Sequence, residues 1–535
     1  MRQGRPDRPG ADVIGGLIHL SRLMRAGFVL AREGVFADVD PALVPAAARL
    51  PLALAKLIAR ARPQPAASRL AVAIERLGPS YVKLGQFLAT RPDVVGPKVV
   101  HDLESLQDRM APFPRAVAIA TIEKALGKPL DRIFSRFSEA VAAASIAQVH
   151  KACVRDAAGE REVAVKVLRP GVELRFHRDL ADMYFAARLA ERYFAEARRL
   201  RLIEVADTLA RTVRMEMDFR LEAAAASEFG ENVRADVDFR VPAVDWDRTA
   251  REVLTLEWME GAPLSDLSAL AAADHDLPAL GRIVIQSFLR HAVRDGFFHA
   301  DMHQGNLFVD AQGRLIAVDF GIMGRLGMKE RRFLAEILYG FITRDYLRVA
   351  QVHFEAGYVP SPHKVEDFAQ AIRAIGEPIH SRTADQISMA KLLTLLFEIT
   401  ALFDMRTRTE LVLLQKTMVV VEGVARRLDP KLDMWSTAEP VVRDWIREKV
   451  GPIGKVQDAG RWVATLAKFA ADLPDVLMRA ESLAEKLETA AEHGFPLAIS
   501  SVNDMERAEA RNAIVRDLGI WAIAAALIAL LIFGR

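Results

Sequence analysis

The sequence predicts an α+β fold, and three observations carry that prediction. Residues 162–168 alternate Val163, Val165 and Val167 with other residues over the length of one strand, and Pro170-Gly171 ends the run. Residues 307–309 and 315–318 are short apolar runs joined by Asp310-Ala311-Gln312-Gly313, which reads as a hairpin turn. Most of the remaining chain carries helical periodicity. With 535 residues, half of them hydrophobic, it is long enough for two to four units with cores of their own.

Segment by segment, residues 1–65 come first as amphipathic helices. Positions 14–60 have arginine-rich faces, and His19, Arg22 and Arg25 interrupt the apolar run, so it is not the core of a signal peptide. Such helices lie on a membrane surface or pack on the protein's own body, and packing is the expectation. Pro63-Gln64-Pro65 closes this segment, and residues 66–130 form a helical extension. Residues 131–262 alternate strand and helix signals. The stretch 173–230 is long, charged and alanine-rich and reads as helices; 251–259, with Val253, Leu254 and Leu256, reads as another strand. Residues 263–435 are mostly helical from Leu277 onward, apart from loops at 299–321.

Residues 436–517 add C-terminal helices. In 457–490, Trp462, Leu466, Phe469, Leu473, Val476, Leu477, Leu483 and Leu487 recur at helical spacing and mark a core-facing stripe. Residues 518–533 carry no charge and are apolar on every face. As a helix they would span roughly 24 Å against a hydrocarbon core of about 30 Å, so a transmembrane or membrane-anchor helix is expected, with a buried terminal helix as the alternative. Arg507, Arg511 and Arg516 would hold the body on the cytoplasmic side. Local thinning or pairing of two tails would meet the shortfall, which makes a homodimer an expected assembly.

Net charge is +2, from 72 basic and 70 acidic residues, and the two signs are interspersed, which argues against nucleic acid as a partner. Cys153 is the only cysteine, so no intrachain disulfide forms and a reducing compartment is the expectation.

The chemistry is concentrated in His299-Ala300-Asp301-Met302-His303-Gln304-Gly305-Asn306, followed by Val318-Asp319-Phe320-Gly321. An Asp, an Asn five residues on and an Asp-Phe-Gly eighteen residues on is the spacing of the catalytic and metal-binding loops of phosphoryl transfer. Asp301 would orient an attacking hydroxyl or accept its proton. Asn306 and Asp319 would hold Mg²⁺ against the triphosphate of ATP. Such a site also needs a strand lysine for the phosphates and a carboxylate to hold that lysine. Lys166, in Val-Ala-Val-Lys, fits the first need. Glu216 is the favoured partner, and Glu222 is the alternative.

No Gly-x-Gly precedes Lys166. In its place stand Val141, Ala142, Ala143, Ala144, Ser145, Ile146, Ala147, Gln148 and Val149. Alanine does not adopt positive φ cheaply, so this stretch cannot fold over phosphates as a glycine loop does. It can still offer backbone N–H groups and the Ser145 hydroxyl. Glu257 and Met259 follow a strand at the place of an adenine-binding hinge. Upstream, Lys83 and Gln86 lie three apart and share a helix face, with Gly85 between them permitting close backbone approach.

At these residues the chain resembles the UbiB family, the ABC-one-like or AarF-type atypical kinases of ubiquinone biosynthesis. The resemblance covers about residues 70–435. It rests on Lys83-Leu84-Gly85-Gln86, on Thr90-Arg91-Pro92-Asp93, on the alanine-rich loop from Ala142 to His150, on Glu216-Met217-Asp218 and on the catalytic loop. The family's catalytic loop usually reads His-Ala-Asp-Pro-His-Pro-Gly-Asn. Here Met302 and Gln304 replace both prolines, which removes two fixed φ angles. The resemblance implies a two-lobed protein-kinase-like fold whose N-terminal extension lies over the pocket, with Lys83, Gln86 and Asp218 in regulatory positions. It also implies ATP with Mg²⁺, ATPase or unorthodox kinase activity, and support of coenzyme Q synthesis. The implied place is the inner (cytoplasmic) membrane, with the catalytic body in the cytoplasm. Implied partners are a membrane lipid or isoprenoid quinone precursor and other ubiquinone-biosynthesis proteins. Two alternatives stand beside this reading: a non-catalytic nucleotide-binding membrane scaffold, and a 2-polyprenylphenol hydroxylase-type metal oxygenase built on His299 and Asp301.

Overall fold

The computed structural model describes residues 9–449, apart from 38, 41–45, 61–68, 90–93, 96–98, 100–101, 104–105, 107–109, 157–158, 194, 380–398, 400–401 and 406–408. The stripe at 457–490, the apolar segment at 518–533 and the motif at 90–93 lie outside the described residues. No helix among the described residues is long and apolar enough to cross a membrane. These residues divide into two units. The first holds the chain up to Gly261 together with Ile316–Ile322; the second holds Ala262–Leu315 and the chain from Met323 onward.

The first unit is organised by a four-stranded antiparallel sheet in the order β1 (Arg136–Ala143), β2 (Ala147–Asp156), β3 (Gly159–Leu168) and β4 (Val253–Glu257). The alternation in β3 decides which side each residue faces. Val163, Val165 and Val167 are fully buried in one cluster with Ala118 and Ile122 of α5 (Arg115–Leu126). Each such valine contributes about 1.5–3 kcal/mol by leaving water. Leu168, together with Leu254 and Leu256 of β4, enters a second cluster on the helices α6 (Val172–Tyr193), α7 (Leu202–Glu216) and α8 (Phe219–Asn232). Lys166 falls on this second side by the same alternation.

Ahead of α5 the described residues include α1 (Pro9–Arg32), α2 (Ala46–Leu57), α3 (Arg69–Leu77) and α4 (Pro79–Leu88). Gly78 at φ 102° makes the turn between α3 and α4, and a Cβ there would meet the Arg175 guanidinium at 2.3 Å. That guanidinium donates to the Leu77 carbonyl at 2.9 Å. The expected packing of the N-terminal helices holds for one face of each. Leu23 of α1 packs with Ala190 of α6, and His19 Nδ1 lies 2.5 Å from the buried Asp182.

In the second unit, Asp276 caps α9 (Leu277–Leu289) by accepting from Ala279 N at 2.9 Å, and Pro278 sits in its first turn. Gly281 lets α13 (Thr409–Leu428) approach closely, since a Cβ there would lie 3.2 Å from the Ala425 carbonyl. A π-helical turn, Arg290–Asp295, runs from α9 to Gly296. Short antiparallel pairs follow: β5 (Ala262–Pro263) with β7 (Leu307–Val309), and β6 (Phe297–His299) with β8 (Met323–Arg325). Then come α10 (Met328–Thr343), α11 (Tyr346–Glu355), α12 (Val365–Ile379), α13 and α14 (Met434–Lys449), with Val349, Phe368 and Ile372 in their core.

Gly296 and Gly127 separate two costs of adding a side chain. Both sit at φ 68°, but a Cβ at Gly296 meets the Leu326 carbonyl at 2.6 Å, whereas nothing lies within 4 Å at Gly127. Gly127→Ala is expected to cost about 1–2 kcal/mol, the left-handed penalty alone. Gly296→Ala is expected to cost a further ~1–3 kcal/mol from overpacking. Denaturant midpoints of the two variants check this; equal losses would contradict the close approach at Gly296.

Candidate active site

Lys166 lies mid-strand, flanked by Val149 on β2 and Leu254 on β4, with Ala142 beyond Val149. Directly opposed residues share a face, so Ala142, Val149 and Lys166 form one row across the sheet. The Lys166 ammonium donates to both Glu222 oxygens, at 2.8 and 3.0 Å, and to Asp319 Oδ1 at 2.9 Å. Burial opposes its charge, but Asp319 and Glu222 outweigh that and hold it well above the ordinary lysine range. Burial pushes the Glu222 carboxyl up; Lys166 pulls it back, and Asp319, a second negative charge, adds to the rise.

The expected partner was Glu216, and the structure corrects this: Lys166 is held by Glu222. The cause is a helix break. Asp218 is the N-cap of α8, its carboxylate accepting from Arg220 N at 3.2 Å and from the Arg220 guanidinium at 2.9 and 2.7 Å. These hydrogen bonds keep the Asp218 carboxyl below its ordinary range. The new helix puts Glu222 one turn in, facing the sheet. Glu216 ends α7 and pairs instead with Lys83 of α4 at 2.8 Å, each side chain about a tenth exposed. Gly85 and Gln86 lie just beyond Lys83; a Cβ on Gly85 would meet the Leu106 side chain at 2.4 Å, so what comes close there is a leucine side chain and not the backbone the sequence led us to expect.

Asp319 has φ 64°, a conformation non-glycine residues adopt rarely and at a cost. Phe320 beside it is buried and packs on Phe229 of α8 at 5.9 Å between ring centroids. The helix that supplies Glu222 therefore also seats the residue after Asp319.

The alanine stretch is a tight turn between β1 and β2. Ala144 N donates to the Ala147 carbonyl at 2.7 Å, and Arg169 braces the turn by donating to the carbonyls of Ala144 at 3.2 Å and Ala111 at 3.0 Å. Ser145 is fully buried, while Val141 is exposed. Arg169, immediately after the strand, is a residue the sequence reading missed; its place beside Pro170-Gly171 carries no motif. At the end of β4, Glu257 accepts from Arg240 at 3.1 Å and from Ala243 N at 3.2 Å, and Met259 follows half-buried.

In the second unit, β6 delivers His299 to a closed loop. His299 Nδ1 accepts from Asp301 N at 3.1 Å. Asn306 Nδ2 donates to the Asp301 carbonyl at 3.1 Å, which leaves the amide oxygen as an acceptor. His303 Nδ1 accepts from Gly305 N at 3.0 Å, so in the neutral ring the proton sits on Nε2, which lies 3.6 Å from Asp301 Oδ2. The missing prolines are replaced by contacts. Met302 is fully buried, Gln304 accepts from Arg427 at 2.6 Å, and the Thr417 hydroxyl donates to the Ala300 carbonyl at 3.0 Å.

Residues 105–353 match the model of the ABC1 atypical kinase-like domain, and residues 372–433 match the UbiB helical domain. A protein of Marinobacter nauticus named probable protein kinase UbiB is 41% identical over 423 residues, which is 78% of this chain and 77% of that one. The chain belongs to the UbiB family. A UbiB protein of Azotobacter vinelandii, also named probable protein kinase, is 42% identical over 394 residues, 73% of each chain. Among solved structures, the erythromycin complex of Rv3197 from Mycobacterium tuberculosis aligns with 69% of this chain and 92% of that one, at 24% identity and a TM-score of 0.46. UbiB proteins are atypical kinase-like, with mixed helix and sheet, as the sequence led us to expect for this chain.

The buried pair of Lys83 and Glu216 gives a direct test of the corrected pairing. Lys83→Met removes the ammonium facing Glu216 and is expected to cost about 3–5 kcal/mol. Lys83→Met/Glu216→Leu is expected to recover most of that loss. Chemical unfolding of the single and double variants measures both; a single variant within 0.5 kcal/mol of the parent, the error within which independent sites add, would contradict the pairing.

Proposed function

We propose that this UbiB protein is a Mg-ATP-dependent atypical kinase or ATPase that supports ubiquinone biosynthesis at the cytoplasmic face of the inner membrane. The observation that carries the nucleotide reading is the Lys166 ammonium, held by Glu222 and Asp319 together. A lysine fixed this way presents a positive charge to phosphate oxygens without reorganising. Glu222 is buried and holds the lysine, whereas the Asp319 side chain is half exposed. Asp319 offers a carboxylate and Asn306 an amide oxygen, each a hard oxygen donor of the kind Mg²⁺ takes. Mg²⁺ held by such groups would neutralise charge on the phosphates. Asp301 is about one third exposed beside His303, which suits a group that orients a hydroxyl or takes its proton.

The acceptor side follows from the family. The relatives' name supports a kinase, and the apolar, charge-free segment 518–533 supports attachment to a membrane, where a polyprenylated quinone precursor resides. The metal-oxygenase alternative loses support because the His299 Nδ1 lone pair is taken by Asp301 N.

Thermal shift with and without Mg-ATP tests the assignment. Asp319→Asn is expected to abolish most of the nucleotide-induced shift, a loss of roughly 1.5–3 kcal/mol for one charge-assisted contact. Asp301→Asn is expected to retain the shift while losing ATP hydrolysis and rescue of ubiquinone synthesis. An unchanged shift in Asp319→Asn would remove the nucleotide assignment, and full rescue by Asp301→Asn would favour the scaffold.

A further inference from the structure

Helices α1 and α2 each bury one face and expose large apolar side chains on the other. Leu17, Met24 and Phe28 are about half exposed on α1, at spacings of seven and four; Leu50, Leu54 and Leu57 are 70%, 56% and 81% exposed on α2, at spacings of four and three. Each set is a helical stripe. The two helices adjoin: Arg60 N, just after α2, donates to the Arg32 carbonyl at the end of α1 at 2.9 Å, and the Arg32 guanidinium lies 5.9 Å from the Phe28 ring centroid. Ala31 and Leu52 pack together beneath them. Exposed apolar stripes on two adjoining helices mark an interaction site.

The charges on it select the occupant. Arg25, Arg32 and Arg49 are exposed on these helices, and Lys56 is half-buried. α2 contains no acid, and Glu33, just after α1, is buried and already paired with Arg76 at 2.6 Å and Arg60 at 3.8 Å. The apolar segment 518–533 has no charge and would leave these arginines unmatched. A second copy meeting face to face would set arginine against arginine. Anionic phospholipid matches both halves of the pattern: acyl chains take the leucines and phenylalanine, and headgroup phosphates take the guanidinium groups that reach outward from the same face. We propose that the stripes of α1 and α2 form a docking surface for an anionic bilayer, separate from the C-terminal segment. This rests on the membrane location proposed above and names the surface that meets the lipid.

The test uses the full chain with single cysteines introduced as Phe28→Cys, Leu54→Cys and, as a control, Val237→Cys, which is 87% exposed on a different turn of the same unit. The native Cys153 is buried. Each is labelled with a polarity-sensitive fluorophore and mixed with vesicles of phosphatidylcholine alone or with phosphatidylglycerol, both carrying a quencher on the acyl chain. An unchanged Mg-ATP thermal shift confirms folding. The labels at 28 and 54 are expected to shift to the blue and to be quenched several-fold more than the label at 237, in anionic vesicles only. Arg25→Glu/Arg32→Glu is expected to reduce that quenching at least tenfold in lipid affinity.

Equal quenching at all three sites, or in both vesicle types, overturns the proposal. So does a blue shift without vesicles that grows with protein concentration, which would mean a second copy, or one that disappears when the chain ends at Asp517, which would mean the C-terminal segment. A chain that floats with vesicles while the labels at 28 and 54 stay unquenched overturns this surface and leaves the membrane location standing. A chain that neither floats nor is quenched overturns both.

Discussion

The ion triad of Lys166, Glu222 and Asp319 is the constraint around which the first unit is arranged. An ammonium and a carboxylate with little access to water are tolerated only when their charges are met at hydrogen-bond distance. Strand β3 supplies the lysine on the face that β-alternation reserves for it. Helix α8 supplies Glu222 from its first turn, and its Phe229 supports Phe320 next to Asp319. Glu222, the buried member, keeps the lysine in place, while Asp319 is the member with access to solvent.

The helical extension is fastened to the same framework by an ion pair of its own. Lys83 of α4 meets Glu216 at the end of α7, only six residues before Glu222. The short break at Met217 and Asp218 therefore separates two carboxylates with different partners. Two loops that lack the glycines or prolines usual at these places are held by side chains. Arg169 ties the carbonyls of the glycine-free alanine turn, and Met302, Gln304 and Thr417 secure the proline-free catalytic loop through burial and hydrogen bonds.

Much of this was legible in the sequence where local chemistry decides structure. The alternating valines of β3 and the strand around Val253 behave as their patterns require, since each depends on neighbours close in sequence, whereas at Gly85 the close neighbour is a side chain and not backbone. The partner of Lys166 was not legible in the same way. Glu216 and Glu222 both lie on helices, and choosing between them depends on where one helix stops. Asp218 was the available signal: an Asp ahead of an alanine-rich run is an N-cap, and reading it so starts a new helix that turns Glu222 inward. The braces from Arg169 and Arg427 were invisible because they span 25 and 123 residues and follow no spacing rule. The N-terminal helices were read as packed, which holds for one face; amphipathic periodicity does not say what meets the opposite face.

The most direct measurement is a double-mutant cycle read out by Mg-ATP affinity, combining Lys166→Met with Glu222→Gln and, separately, with Glu216→Gln. Lys166 and Glu222 are expected to be coupled by at least about 1.4 kcal/mol, a tenfold departure from additivity, while Lys166 and Glu216 add within about 0.5 kcal/mol. Coupling of Lys166 to Glu216 with additivity at Glu222 would contradict the arrangement on which the whole site depends.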